Sequence, residues 1–353
     1  MNLIPNRLPG LCIRLLLLFL LLISCTPSTT IPSSTLRPVP SIVETTGGLS
    51  PDATNTLNSL EKVAEYPFYT MHYIGSYDYP QVGGTLAGLE EFSCSLFASL
   101  AQGADMFYGR NFDWDYSPAL LLFTNPPDGY ASASMVDLTF LDIDPLDSRT
   151  LDDLPVEERS ALLSAPSMPF DGMNEYGLAV GMAAVPSQFI DDASHDPSLP
   201  TIGSIGIIRQ VLDHARNVEE ALVMFRSYNI DFRGGPPIHY LLADPAGKAV
   251  LVEYYQGEMI ELPNTDPWHM ATNFMVCLAE GDAGCPRYRT LSNTLSASSG
   301  LLDPPSAMGL LSEVSQGITQ WSTLYNMTTG EIGVAIGGEY GKTYSFNLEM
   351  VKP

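Results

Sequence analysis

Hydrophobic positions change their rhythm along this chain, and the changes mark its elements. An unbroken apolar run, Leu15 to Ile23, follows Arg7 and Arg14. It is too short to cross a bilayer as a helix and suits the core of an export signal. Residues 26–56 carry Pro, Ser and Thr instead, as in Thr26-Pro-Ser-Thr-Thr. A stretch with so little to bury reads as a spacer. From about residue 60 the composition is globular. Short apolar runs predict strands at Asp105–Gly109, Ala119–Thr124, Ala131–Ile143 and Gly177–Ala183. Between residues 204 and 228 the spacing turns helical. Ile205, Ile208, Val211 and Leu212 share one face, and Asn217 with Glu220 opens a second helix that points Ala221, Leu222 and Phe225 inward. Ile238–Ala243 and Ala249–Tyr255 predict a hairpin across Asp244-Pro-Ala-Gly247. Amphipathic segments near 286–297 and 304–315 predict helices, and strands near 331–337 and 343–349 follow. This order suggests two sheets sandwiched between helical layers.

The chain has 353 residues and is 45% apolar, enough for one large core or two small ones. Sixteen Lys and Arg against 40 Asp and Glu leave a net charge of −24, which repels a phosphate backbone and argues against a nucleic-acid partner. The apolar run ends in Leu22-Ile23-Ser24-Cys25. That order resembles the bacterial lipobox, whose cysteine is lipidated and becomes the mature N-terminus. It implies an exported lipoprotein, tethered through Cys25 to the outer face of a bacterial membrane. An ordinary signal peptide with a stray cysteine would give a soluble secreted protein instead. Cys12 lies inside the signal and leaves with it. Asn326-Met-Thr328 fits a glycosylation sequon, a match that chance alone supplies in a chain this long. Cys277 and Cys285 stand eight apart in a loop with Gly and Asp, and in an oxidising compartment they read as a disulfide. Zinc is the weaker alternative, since no histidine pair stands nearby at ligand spacing. Cys94 is left over, and an unpaired cysteine in an exported protein is a candidate reactive thiol.

Cys94 lies in Glu91-Phe-Ser-Cys94-Ser-Leu-Phe, shortly before Tyr108-Gly-Arg110-Asn-Phe-Asp113. Each residue has a plain reading: Cys94 as a small buried hydrophobe, Arg110 as a surface charge, Asp113 as a turn former. Together they suggest chemistry, because a thiol becomes a useful nucleophile when a cation and a base are held against it. A hairpin would bring Arg110 and Asp113, at the end of the neighbouring strand, beside Cys94.

Cys94, Arg110 sixteen residues later and Asp113 nineteen later are similar in spacing to the choloylglycine hydrolases and penicillin V acylases. These are N-terminal-nucleophile hydrolases, in a wider group with acid ceramidase and the acyltransferase that finishes penicillin biosynthesis. Asn174-Glu-Tyr-Gly-Leu resembles that family's Asn-Glu-x-Gly-Leu segment, Ala271-Thr-Asn273 its second asparagine, and Pro286-Arg287-Tyr288 its late Arg-Tyr pair. The stretch from Tyr66 to Tyr77 resembles the segment before the nucleophile in secreted relatives. The resemblance spans about residues 63 to 350. It implies the N-terminal-nucleophile fold, an α+β four-layer αββα sandwich of two mainly antiparallel sheets, together with a small N-acyl substrate and no cofactor. It also implies roles. Cys94 is the nucleophile, and its own α-amine is the general base, since an α-amine titrates near neutrality. Arg110 favours the thiolate and Asp113 holds the amine. Asn174 and Asn273 donate to the oxyanion, at roughly 3 kcal/mol per donor. Arg287 supports the network. Without the resemblance, Asn174 reads as a turn residue before Gly177 and Arg287 as a charge at a helix start.

Because 93 residues precede Cys94, its amine must come from cutting the Ser93–Cys94 bond. The expected organisation is a signal peptide with lipobox at 1–25, a linker at 26–56, a pro-segment at 57–93 and a catalytic domain at 94–353. The expected activity is hydrolysis of linear, non-peptide amides. Alternatives are acyl transfer on the same scaffold, a papain-like cysteine protease that pairs Cys94 with one of His72, His195, His214, His239 or His269, and a binding lipoprotein without catalysis.

Overall fold

Ser50 Oγ accepts the Ala53 N–H at 3.1 Å, and Pro51 sits where a helix needs no donor, so helix α1 (Pro51–Asn58) begins inside the expected linker. The computed structural model describes residues 48–351 apart from 79–92, 145, 146, 190, 192, 194 and 234. The apolar run, Cys25 and the linker through residue 47 lie outside the described residues. Among the described residues no helix is long and apolar enough to cross a membrane.

After α1 come β1 (Glu61–Ala64) and β2 (Phe68–Tyr73). Past Ser93 follow β3 (Ser95–Ser99), β4 (Phe107–Asp113), β5 (Ala119–Thr124) and β6 (Ser132–Asp137). β6 stops short of the expected Ile143 because Asp137 Oδ1 accepts the Thr139 N–H at 2.8 Å and starts a short helical turn. β7 (Asp171–Asn174) and β8 (Ala179–Ala184) meet through Gly177 at φ +78°, where a Cβ would lie 2.2 Å from the Met327 carbonyl oxygen. β9 (Thr201–Gly203) leads to α2 (Gly206–His214), α3 (Val218–Arg226) and β10 (Asn229–Asp231). The expected cap of α3 is present: Asn217 Oδ1 accepts the Glu220 N–H at 3.0 Å. Then come the hairpin β11 (Ile238–Ala243) and β12 (Ala249–Tyr255), β13 (Glu258–Pro263) and β14 (Trp268–Ala271). Helices α4 (Pro286–Ala297) and α5 (Pro304–Glu313) precede β15 (Thr319–Asn326), β16 (Glu331–Ile336) and β17 (Tyr344–Asn347).

Nine strands form one sheet in the order β1-β2-β5-β6-β7-β8-β11-β12-β13. Its pairings are antiparallel except that of β2 with β5. Six strands form a second, wholly antiparallel sheet, β14-β3-β4-β15-β16-β17. α2 lies on β7 and β8, α4 and α5 lie on the second sheet, and β3 meets β8 and β11 between the sheets. The result is the expected αββα layering. β3 is buried on both faces, so it reads as a continuous apolar run with two destinations. Leu96 and Ala98 enter the core between the sheets, while Phe97 packs with Leu291, Leu295 and Leu311 beneath the helices. Gly109, opposite Phe97, leaves room for that ring: a Cβ there would lie 2.4 Å from it. The strands β1 and β2, from the expected pro-segment, are built into the larger sheet.

Candidate active site

β3 and β4 pair with Leu96 opposite Arg110, which returns the arginine toward the residue that opens β3. Arg110 Nη2 lies 3.7 Å from Cys94 Sγ. The two residues are 1% and 2% exposed. Arg110 stands inside β4 and Asp113 at its end, where both were expected at the strand's end. The guanidinium meets Asp171 Oδ2 at 2.5 Å, donates to the Met182 carbonyl at 3.3 Å and lies 4.8 Å over the Phe112 ring. Tyr325 donates its hydroxyl to Asp171 Oδ1 at 2.6 Å. Burial alone would lower the Arg110 pKa, but Asp171 and the neighbouring thiol hold it above its ordinary value.

Burial pushes the Cys94 thiol up, and Arg110 offsets only part of that shift. With the Ser93–Cys94 bond intact there is no α-amine to take its proton. Asp113 is anchored by two donors, Thr319 Oγ1 at 2.5 Å and Gln316 Nε2 at 2.7 Å. Burial raises its pKa, against the pull of those hydrogen bonds. The same Gln316 Nε2 donates to the Ser93 carbonyl at 3.1 Å. Arg287, in the first turn of α4, donates to the Cys94 carbonyl, to Ser95 Oγ at 2.9 Å and to Asn273 Oδ1 at 3.1 Å. Asn273, two residues past β14, donates to the Ala184 carbonyl at 2.8 Å. Arg110, Asp113, Asn273 and Arg287 therefore gather around Ser93-Cys94-Ser95.

Asn174 does not join them. Its Nδ2 donates to the carbonyls of Leu212 at 3.0 Å and Ala215 at 2.7 Å, and its Oδ1 accepts the N–H groups of Tyr176 and Leu178. Both amide hydrogens thus tie the β7–β8 turn to the end of α2, where the resemblance implied an oxyanion donor. Cys277 and Cys285, read as a disulfide in an oxidising compartment, stand here as two free thiols. Other bonds hold that loop. Glu253 accepts the N–H groups of Val276 at 2.7 Å and Cys277 at 2.8 Å, and Thr272 Oγ1 lies 3.4 Å from Cys285 Sγ. Buried His239 has Nδ1 3.0 Å from Glu253 and Nε2 2.7 Å from the Thr272 carbonyl. His269 Nε2 is engaged by the Leu262 carbonyl at 2.8 Å. The sequon's Asn326 is 4% exposed and donates to Asp105 at 3.0 Å.

Three residues of the site escaped the sequence reading. Asp171 stands three before Asn174, in the block read for its asparagine, and only a known buried arginine would have marked it. Gln316 and Thr319 are uncharged, lie between α5 and β15, and carry no spacing signal.

A buried thiol at the mouth of β3, backed by a guanidinium and a carboxylate between two sheets with helices outside, has the layering of the N-terminal-nucleophile hydrolases. Residues 147–281, which include Asp171, Asn174 and Asn273, match the model of the acyl-coenzyme A:6-aminopenicillanic acid acyl-transferase family. Two solved variants of the conjugated bile acid hydrolase from Clostridium perfringens share the fold, at 15% and 14% identity and TM-scores of 0.53 and 0.52. Each comparison covers 72% of this chain and 92% of the other. Among curated proteins no sequence matches this one.

Proposed function

We propose that this chain hydrolyses linear amide bonds in small N-acyl compounds, with Cys94 Sγ as nucleophile once the Ser93–Cys94 bond has been cut. The observation that carries this reading is the buried contact of Arg110 Nη2 with Cys94 Sγ at 3.7 Å, with the carboxylate of Asp113 joined to the Ser93 carbonyl through Gln316; in this reading Asp113 holds the new α-amine. In the cut chain that amine takes the thiol proton, and the thiolate, favoured by Arg110, attacks the substrate carbonyl. The second hydrogen on Asn273 Nδ2 serves the oxyanion. The α-ammonium gives its proton to the leaving amine as the C–N bond breaks; water then adds to the thioester, and breaking of the C–S bond releases the free acid and restores the thiol. One relative is by name a hydrolase of conjugated bile acids and the matched family by name an acyl-transferase, and an acyl-thioester accounts for both kinds of reaction.

Acyl transfer to an amine is the second reading, favoured by the family match alone. A papain-like dyad is disfavoured at His239, whose ring nitrogens both face oxygen acceptors. Pooled N-acyl amino acids, N-acyl amines, conjugated bile acids and penicillin V, offered with and without a second amine, test the activity. Release of free acid by the wild type and none by Cys94→Ala supports hydrolysis. Cleavage of casein with every N-acyl compound untouched contradicts it. The lipobox supports a tether at Cys25. Cys25→Ala should move active enzyme to the soluble fraction, and a variant that stays on the membrane rules the tether out.

A further inference from the structure

The amide of Gln316 touches both ends of the cutting problem. Its Nε2 carries two hydrogens. Asp113 Oδ2 holds one at 2.7 Å, and the Ser93 carbonyl oxygen accepts the other at 3.1 Å. Asp113 is itself fixed by Thr319 at 2.5 Å, so the amide cannot turn away without breaking a bond to a buried carboxylate. We propose that Gln316 is a catalytic residue of self-cleavage, the donor that stabilises the oxyanion formed at Ser93 when the Cys94 thiol attacks. This deepens the reading above and rests on it.

The step balances as follows. Cys94 Sγ adds to the Ser93 carbonyl carbon, and the thiol proton passes to the Cys94 nitrogen as the C–N bond breaks. A thioester joins Ser93 to sulfur, and the α-amine is free. Water adds to the thioester carbonyl and the C–S bond breaks; one proton of the water restores the thiol, the other passes to the α-amine, and a Ser93 carboxylate is left. In both tetrahedral intermediates the negative charge sits on the Ser93 oxygen that faces Gln316. At 3.1 Å the present hydrogen bond is at the long end of its class, with room to shorten as charge develops. A donor already aimed at that oxygen needs no reorganisation during the reaction.

The test follows, by intact mass, the fraction of full-length chain cut with time after synthesis. Wild type is compared with Gln316→Met, Gln316→Glu, Thr319→Val and uncut Cys94→Ala. Gln316→Met, similar in length but without a donor, should cut about 10²–10³-fold more slowly, the usual loss for one oxyanion donor. Thr319→Val removes a bond to Asp113 and the acceptor of the Gln316 backbone N–H at 2.8 Å, but leaves the Gln316 side-chain donor to Ser93 in place, so its slowing should stay within about tenfold. Gln316→Glu should be slow at pH 8 and partly recover at pH 5, because the buried Asp113 carboxylate beside it favours the protonated carboxyl, whose one O–H can serve Ser93. Near-ultraviolet circular dichroism against Cys94→Ala shows that each uncut variant is folded. Equal slowing by Thr319→Val and Gln316→Met would reduce Gln316 to a support for Asp113 and overturn the proposal. So would cutting of Gln316→Met at the wild-type rate, or a pH-independent Gln316→Glu if the methionine variant fails to fold. A wild type that stays uncut and active removes the underlying reading as well, a result distinct from the other three.

Discussion

Asp171 and Arg110 form an ion pair with side chains 0% and 1% exposed, and the guanidinium of that pair is the one that reaches the Cys94 thiol. Two charges taken out of water are tolerable only together. Asp171 therefore determines where Arg110 points. Asp171→Asn should destabilise the protein by about 3 kcal/mol, because it leaves a buried cation without its counter-charge. It should also lower kcat/KM by more than Tyr325→Phe, which removes one hydrogen bond to Asp171 and no charge. Urea unfolding and steady-state kinetics on the two variants check this. An Asp171→Asn enzyme of normal stability and activity would detach the pair from the site.

The two asparagines should separate cleanly. Asn174 holds a turn, so Asn174→Ala should lower Tm while the folded fraction keeps near-normal kcat. Asn273 sits with Arg287 at Cys94, so Asn273→Ala should keep Tm and lose about 10²–10³-fold in kcat, as expected for a lost oxyanion donor. Thermal melts alongside active-site-normalised kinetics distinguish the two, and the reverse pattern would restore the role that the resemblance implied for Asn174.

The legible part of this site was its local part. Cys94 immediately precedes β3 and Arg110 lies on its hairpin partner β4, so their separation along the chain survives as a readable spacing. Asp171 reaches Arg110 from another sheet, 61 residues on, and Gln316 reaches Asp113 across 203 residues. Contacts at that range leave no periodic trace. β15 went unread for a related reason. Its Thr319, Gln320, Ser322 and Asn326 look solvated in sequence, yet the whole strand is buried. Those polar groups find partners within the fold, as when Ser322 Oγ donates to Asn111 at 2.7 Å. The layering was legible because alternation and helical spacing report which faces are covered. In the Cys277–Cys285 loop the bonds from Glu253 to the Val276 and Cys277 N–H groups span more than twenty residues, so no local spacing announces them.

Asp137 offers a test of how the core tolerates charge. It is fully buried, and burial pushes its carboxyl up to about 6, against the pull of Thr139 and Ser117. A carboxyl raised on folding favours the protonated state, so its stabilising form is fully present below the unfolded value and lost as pH rises through 6. Two units correspond to about 3 kcal/mol. Asp137→Asn should therefore raise Tm at pH 8 by up to that free energy and leave it unchanged at pH 3.5. An equal effect at both pH values would contradict the assignment.

The most direct measurement is N-terminal sequencing with intact mass on the active, purified wild type. Cys94 should be the first residue of one fragment, and Ser93 should end the other. The two should leave a gel-filtration column together, because β2 pairs along its whole length with β5 and stays part of the larger sheet after the cut. Cys94→Ala should run as one unbroken, inactive chain. Full activity from a chain still continuous through Ser93–Cys94 would contradict the N-terminal-cysteine mechanism.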